Sequence, residues 1–468
     1  MNKRLLFLLG VMIILLEGCT LIPAYKKPAP PVPADWPTGA AYHDKKPADS
    51  ASDLSELSWR EFFPDESLRK VIETALNNNR DLRLAALNVE KVRALYRIQR
   101  AELLPSVSST GSLTRQRVPS DLSSGGKVMT SERYDVNLGV SSWELDFFGR
   151  IRSLKEQALE EYLATDQIRR SAQILLVSTV SNAYLNLAAD RQTLKLVTAA
   201  FEAQEAVYRL IRKRYDVGLA SELDLRRAQS QVETAKGDIA RYTQLTAQDE
   251  NVLTLLVGTT VSQTLLPLTL DVIIPPKDIS AGLPSEVLLK RPDVLAAEHR
   301  LKAANANIGA ARAAFLPRIS LTGTFGTASA DLSGLFKDGS DAWSFIPQIK
   351  LPIFDARTWS AYDATKVEKE ISVTQYEKTI QTAFREVADA LAVRGTVDRQ
   401  LSAQQSLVGA VAETYRLSNV RYEKGIDSYL SVLDAQRSLY GAQQGLTMLQ
   451  LARLANRVTL YKVLGGGM

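Results

Sequence analysis

One motif occurs twice, 207 positions apart (421 minus 214), and it commits any fold of this chain to two equivalent halves. The first copy reads RYDVGLASELDLRRAQ from Arg214, the second RYEKGIDSYLSVLDAQR from Arg421. Arg214/Arg421, Tyr215/Tyr422, Gly218/Gly425, Ser221/Ser428, Leu223/Leu430, Ala228/Ala435 and Gln229/Gln436 coincide. In each copy a helical pattern runs into Tyr, breaks at Gly and restarts behind Ser, which is a C-cap followed by an N-cap. Each copy therefore predicts the tip of a helical hairpin.

The repeat extends upstream. Residues 291–326 mirror residue 79 onward at an offset of 212, with Asp81/Asp293, Ala85/Ala297, Leu104/Leu316, Pro105/Pro317 and Gly111/Gly323 in register. In each half a helix stops at the Pro and a period of two follows, the mark of a strand with one apolar face. Tyr134, Val136, Leu138 and Val140 alternate with Asp135, Asn137, Gly139 and Ser141, while residues 106–117 form a more polar candidate strand. In the second half Ile319, Leu321, Gly323 and Phe325 alternate with polar neighbours, and so do Trp343, Phe345, Pro347, Ile349, Leu351 and Ile353. Loops at 118–131 and 330–342 join the pairs. Residues 150–217 then contain neither Gly nor Pro, enough helix to span about 100 Å. A return helix is predicted from Ser221 to about Val257. Beyond Ile353 there is no Pro either, which predicts helices to Lys424 and from Ser428 to about Leu464.

The layout is a signal peptide (1–18), an extended arm (19–64), repeat 1 (65–257), a Pro-rich connector (258–285), repeat 2 (286–464) and a tail (465–468). Within the repeats the strand hairpins are 105–147 and 317–353, and the long helical hairpins 149–257 and 355–464. Lys3 and Arg4 precede an apolar run from Leu5 to Leu16 that is too short to span a bilayer as a helix, which needs roughly 20 residues. Residues 16–19, Leu-Glu-Gly-Cys, resemble a bacterial lipobox, in which Cys19 becomes the lipidated first residue. Glu17 departs from the small or apolar residue which that pattern prefers, and Thr20, rather than Asp, after the Cys suits export to the outer membrane by resemblance to lipoprotein sorting.

Composition removes several function classes. The formal net charge is +5, but Lys and Arg are interleaved with Asp and Glu, so no basic face for nucleic acid stands out. Two His and one Cys are too few for a His/Cys metal cluster, a thiol–base dyad or a disulfide. His43 falls in the arm and His299 on a helix, neither with a nucleophile or ligand set around it. No catalytic residue, metal or cofactor is expected, and the chain reads as a non-enzyme.

Strands of about 10–13 residues match the length that crosses a membrane at a tilt. Four of them cannot close a barrel, since the smallest membrane barrels have eight strands. Hydrocarbon accepts no open sheet edge. The chain must then share a barrel with copies of itself, eight strands in a dimer or twelve in a trimer. The competing readings are a soluble α+β protein with a small internal sheet, and a periplasmic coiled-coil scaffold or adhesin without a channel.

The stretches LNNNRDLRLAALNVEKVRALYRIQRAELLP, WELDFFGRIR, LLKRPDVLAAEHRLKAANANIGAARAAFLPRISLTGTFG and RYEKGIDSYLSVLDAQR resemble the TolC-like outer-membrane efflux factors, in particular the lipoprotein branch typified by OprM. The resemblance covers essentially the whole mature chain. It implies a homotrimer with a twelve-stranded outer-membrane β-barrel continued by a long periplasmic α-helical barrel. It also implies passive export of drugs or other toxic compounds, a periplasmic adaptor, and an inner-membrane pump of the RND type. The location implied is the outer membrane of a Gram-negative bacterium, with the protein lipid-anchored and reaching into the periplasm.

By the same resemblance Leu430, Asp434 and Arg437 match the residues that close the periplasmic aperture. Leu430 and Asp434, four apart, share one helix face, and in a trimer each becomes a ring of three. A local pairing of Asp434 with Arg437, three residues on, fits the spacing equally. The tips Gly218, Leu219, Ala220 and Ser221, and Gly425, Ile426, Asp427 and Ser428, are expected to meet the adaptor. For the lipobox, Cys19→Ala should abolish incorporation of labelled fatty acid and lower the outer-membrane yield without giving a soluble product. A wild-type chain that takes up no label would remove the anchor.

Overall fold

The computed structural model describes residues 20–42, 58–278 and 285–466. The signal peptide, Cys19, His43 and the last two residues lie outside them. In chain order the helices and strands are α1 (Trp59–Phe62), α2 (Glu66–Asn78), α3 (Arg80–Ala101), β1 (Val107–Val118), β2 (Met129–Leu145), α4 (Arg150–Asp216) and α5 (Glu222–Val257). After three short 3-10 turns come α6 (Pro292–Ala313), β3 (Arg318–Ser329), β4 (Asp341–Lys350), α7 (Ala356–Glu423) and α8 (Tyr429–Val463). The duplication is exact in α3 and α6, each of 22 residues and 212 positions apart. Among the described residues no helix is long and apolar enough to cross a membrane.

The chain forms two compact units. The first unit holds the described residues 20–29, 88–166 and 296–376, and with them the sheet. Its four strands are antiparallel in the order β1-β2-β3-β4. Val107 pairs with Val140 and Val118 with Met129; Arg318 pairs with Lys350 and Thr327 with Asp341. Between them β2 and β3 join from Tyr134↔Ser329 to Leu145↔Ile319, with a slip between Val140 and Trp143. There Ser142 takes a positive φ of 53°, a bulge that bends the strand. Gly139 is a close approach, since a Cβ on it would lie 2.6 Å from the Gly323 carbonyl. Val136 and Leu138 are exposed while Asp135 is buried, so the two faces differ as the alternation requires. In this unit α6 is packed on nearly every side, and its many alanines let neighbours come close. One neighbour is the arm. Asn305 donates to the Pro23 carbonyl at 2.8 Å, Arg312 to that of Leu21 at 3.3 Å, and Lys27 pairs with Glu298 at 2.7 Å.

The second unit holds the described residues 30–42, 58–87, 167–278, 285–295 and 377–466. Asp65 caps α2 by accepting from the Leu68 N–H at 2.8 Å, and Asn79 opens α3 by accepting from Leu82 at 2.9 Å. Phe62 and Phe63, both fully buried, stack and edge against Tyr461 at 4.8 and 5.6 Å. Arg291 is buried, but it is satisfied by a carboxylate pair from Asp293, by Glu386 and by the Val463 carbonyl, as a buried guanidinium must be.

Several boundaries differ from the sequence expectations. The arm is not wholly extended: residues 59–62 form a helical turn, and Trp36 stacks on Phe384 at 4.9 Å. The helix expected to reach Leu104 ends at Ala101. Strand β2 begins at Met129, ahead of the alternating segment, because β1 supplies hydrogen-bond partners up to Val118. Strand β4 ends at Lys350, short of Ile353, where Pro352 has no N–H to give a ladder.

The face assignment makes a prediction. Val136→Arg should destabilise the membrane-embedded protein by roughly 2–4 kcal/mol, whereas Asn137→Arg should cost far less. Denaturant unfolding in lipid vesicles measures both, and equal losses would contradict the assignment.

Candidate pore constriction at the hairpin tips

Both tips lie in the second unit and close in the same way. Helix α4 ends with Gly218 at φ 79°, the Gly218 N–H bonding to the Tyr215 carbonyl at 2.9 Å and the Leu219 N–H to that of Arg214 at 2.7 Å. Helix α7 ends with Gly425 at φ 72°, its bonds reaching Tyr422 and, from Ile426, Arg421, both at 2.9 Å. This is the paired 6→1 and 5→2 cap, whose left-handed residue favours glycine. Ser221 then caps α5, its hydroxyl oxygen accepting from the Asp224 N–H at 3.1 Å. Ser428 holds the same place before α8 but makes no side-chain cap bond.

Beneath the tips the two hairpins share one apolar cluster of Ile211, Ala228, Tyr429, Val432 and Leu433, with Ala220 and Tyr422 packed on it. Burial raises the Tyr429 hydroxyl above its ordinary range. On the neighbouring stripe of α8, Leu430 is 41% exposed, and Asp434 and Arg437 are exposed with it. Residues 430, 434 and 437 thus form one exposed stripe, and Tyr429, Val432 and Leu433 the buried one. The local Asp434–Arg437 pair is not made: Arg437 donates instead to Gln231 on α5 at 3.4 Å, and among the described residues Asp434 has no ion-pair partner.

Sequence reasoning missed what the duplicated arginines do. Arg421 grips Asp427 with two bonds of 2.6 and 3.0 Å. Its counterpart Arg214 has Ala220 at the equivalent position and reaches across to the Tyr422 hydroxyl at 3.3 Å. The signal was present in the alignment of the two copies, where Asp427 faces Ala220. Each tip also leaves apolar side chains in solvent: Val217 at 69% and Leu219 at 78% on one, Ile426 at 58% on the other. His299 belongs to the first unit and is hydrogen-bonded to Glu160 at 2.6 Å. Among the described residues no group of three or more His, Cys, Asp or Glu could hold a metal ion.

Residues 71–259 and 283–466 match the family described as outer membrane efflux protein. The antibiotic efflux pump outer membrane protein ArpC of Pseudomonas putida is 51% identical over 469 residues, covering 100% of this chain and 96% of that protein. The toluene efflux pump outer membrane protein TtgC of the same species has the same identity and coverage, 51%, 100% and 96%. Among solved structures, the open state of the MtrE outer membrane channel of Neisseria gonorrhoeae superposes with a TM-score of 0.85 at 38% identity, covering 96% of this chain and 98% of that one.

The Arg421–Asp427 clasp has a measurable consequence. Arg421 holds the Asp427 carboxyl below its ordinary range, so the clasp is complete at neutral pH and is lost only as the pH falls past the usual Asp titration near 4. Asp427→Ala should remove it at every pH, speeding amide exchange at residues 425–428 while residues 218–221 stay unchanged. Unaltered exchange at both tips would show that the capping bonds alone set tip rigidity.

Proposed function

The chain belongs to the outer membrane efflux protein family and is the non-enzymatic exit duct of an efflux system, and from that premise we propose that Leu430 and Asp434 close its periplasmic end. Three chains share a twelve-stranded outer-membrane β-barrel, four strands each, continued by a periplasmic α-helical barrel. An adaptor and an inner-membrane pump complete the system. The finer partner reading is a pump of the RND type, with the adaptor docking on Gly218, Leu219, Ala220 and Ser221 and on Gly425, Ile426, Asp427 and Ser428. The cargo is small toxic compounds of the kind for which the relatives are named, antibiotics and toluene.

The observation that carries the constriction is the exposed stripe on α8. A buried Leu430 or a paired Asp434 could not form a ring around a threefold axis; both are exposed, on the stripe beside the packing face of the helix. Three Leu430 side chains favour closure by apolar contact. Three Asp434 carboxylates oppose it, by roughly 0.6 kcal/mol per pair at about 7 Å in water and about 2.4 at an effective dielectric of 20. They also favour cations in the lumen. With Arg437 engaged by Gln231, a bound cation is the nearest means of offsetting that repulsion. The lipid anchor at Cys19 is supported by the arm, since the Leu21 carbonyl is tied to Arg312, six residues before β3 begins at Arg318.

Leu430→Ala should raise the conductance of the resting channel in planar bilayers, and Asp434→Ala should lower its preference for cations. Both variants should still assemble as trimers, since neither touches a strand. Unchanged conductance and selectivity in normal trimers would move the constriction elsewhere.

A further inference from the structure

The duplication creates two versions of one seam in the first unit, and a single chain brings together only one of them. Where the end of β2 meets the α6–β3 turn, Phe147 and Phe148 line a hollow of about 260 Å³ with Ala313, Leu316 and Pro317, and both phenylalanines are half-buried. Ion pairs fasten this internal seam. Glu144 accepts two bonds of 2.8 Å from Arg150, and Arg318 approaches it at 3.1 Å. Asp146 accepts from the Ile151 and Arg152 N–H groups at 3.1 and 2.9 Å, opening α4.

The counterpart residues are bare. Ile353 and Phe354 stand 206 positions after Phe147 and Phe148 (353 minus 147), at the start of α7 as those stand at the start of α4. They are 95% and 89% exposed. The counterparts of Leu316 and Pro317 are Leu104, 71% exposed, and Pro105, flanked by Ile98 at 64% and Val107 at 69%. These two halves cannot meet within one chain, because β2 and β3 lie between β4 and β1 in the sheet. The fasteners have not been duplicated. Glu144, Asp146 and Arg150 correspond to Lys350, Pro352 and Ala356, and Arg318 to Ser106.

We propose that Ile353 and Phe354 of one copy pack against the exposed Leu104, Pro105 and Val107 of the next, an apolar seam between subunits where the internal seam is ionic. The occupant is a second copy because the internal version of the same seam sets Phe147 and Phe148 beside Leu316 and Pro317, the counterparts of Leu104 and Pro105. The free edges of β4 and β1 also end beside them. Apolar contact is indifferent to screening, so salt should leave the joint between copies intact.

The test is cross-linking by a short bismaleimide in membranes from cells that make two kinds of chain, one carrying Phe354→Cys and the other Leu104→Cys. A dimer-sized band on denaturing gels is expected from the mixture and from neither variant alone, with Cys19 the sole cysteine of the wild-type background. Absence of that band would overturn the proposal if the intrachain pair Phe148→Cys/Leu316→Cys still reacts, since Phe354 would then face lipid. Should either cysteine variant fail to assemble, Phe354→Ser gives the second reading. It should lower the temperature at which trimers dissociate in detergent by the same amount at low and high salt. Wild-type trimer stability in that variant would equally overturn the seam.

Discussion

Backbone hydrogen bonding in hydrocarbon is the constraint from which the rest of this molecule follows. A peptide group left unpaired in lipid costs several kcal/mol, and a four-stranded sheet leaves two edges of such groups. Here β1 pairs only with β2, and β4 only with β3, among the described residues. The sheet is therefore a fraction of a closed structure, and a chain that carries it completes itself with further copies. That requirement also explains why the two halves of the chain are alike. Each must present the same strand pair and the same helical hairpin to a ring in which neighbours alternate.

Likeness stops where the two kinds of neighbour differ. Inside the chain, connectivity already holds β2 against β3, and Glu144, Arg150 and Arg318 fix the geometry with charge. Between chains nothing covalent helps, and the bare Ile353, Phe354 and Leu104 offer area to bury instead. The same divergence runs through the tips. Arg421 closes on its own loop through Asp427, and Arg214, lacking that carboxylate, ties one hairpin to the other through Tyr422. A duplicated scaffold has thus acquired one joint that is self-contained and one that bridges.

Much of this was legible in the sequence, because caps and alternation are local. Gly218, Ser221, Gly425 and Ser428 mark the tips through backbone conformation alone, and Val136 and Leu138 declare a face by period. What was hidden depends on partners distant in sequence. The first five residues of β2 show no clean alternation, and they are strand because β1 pairs with them. Phe62 and Phe63 look like stray apolar residues in a polar arm until Tyr461 is placed beside them. For the stripe on α8, spacing put Leu430, Asp434 and Arg437 on one face. Spacing could not say whether Asp434 pairs with Arg437, because that depends on Gln231 from another helix.

The proposed closure of a threefold tube by α8 is tested most directly by a density map of the detergent-extracted channel in its resting state. It should show three-fold symmetry, with the lumen narrowest at the level of Leu430 and Asp434. A lumen narrowest at another level of the helices, or particles without a threefold axis, would contradict it.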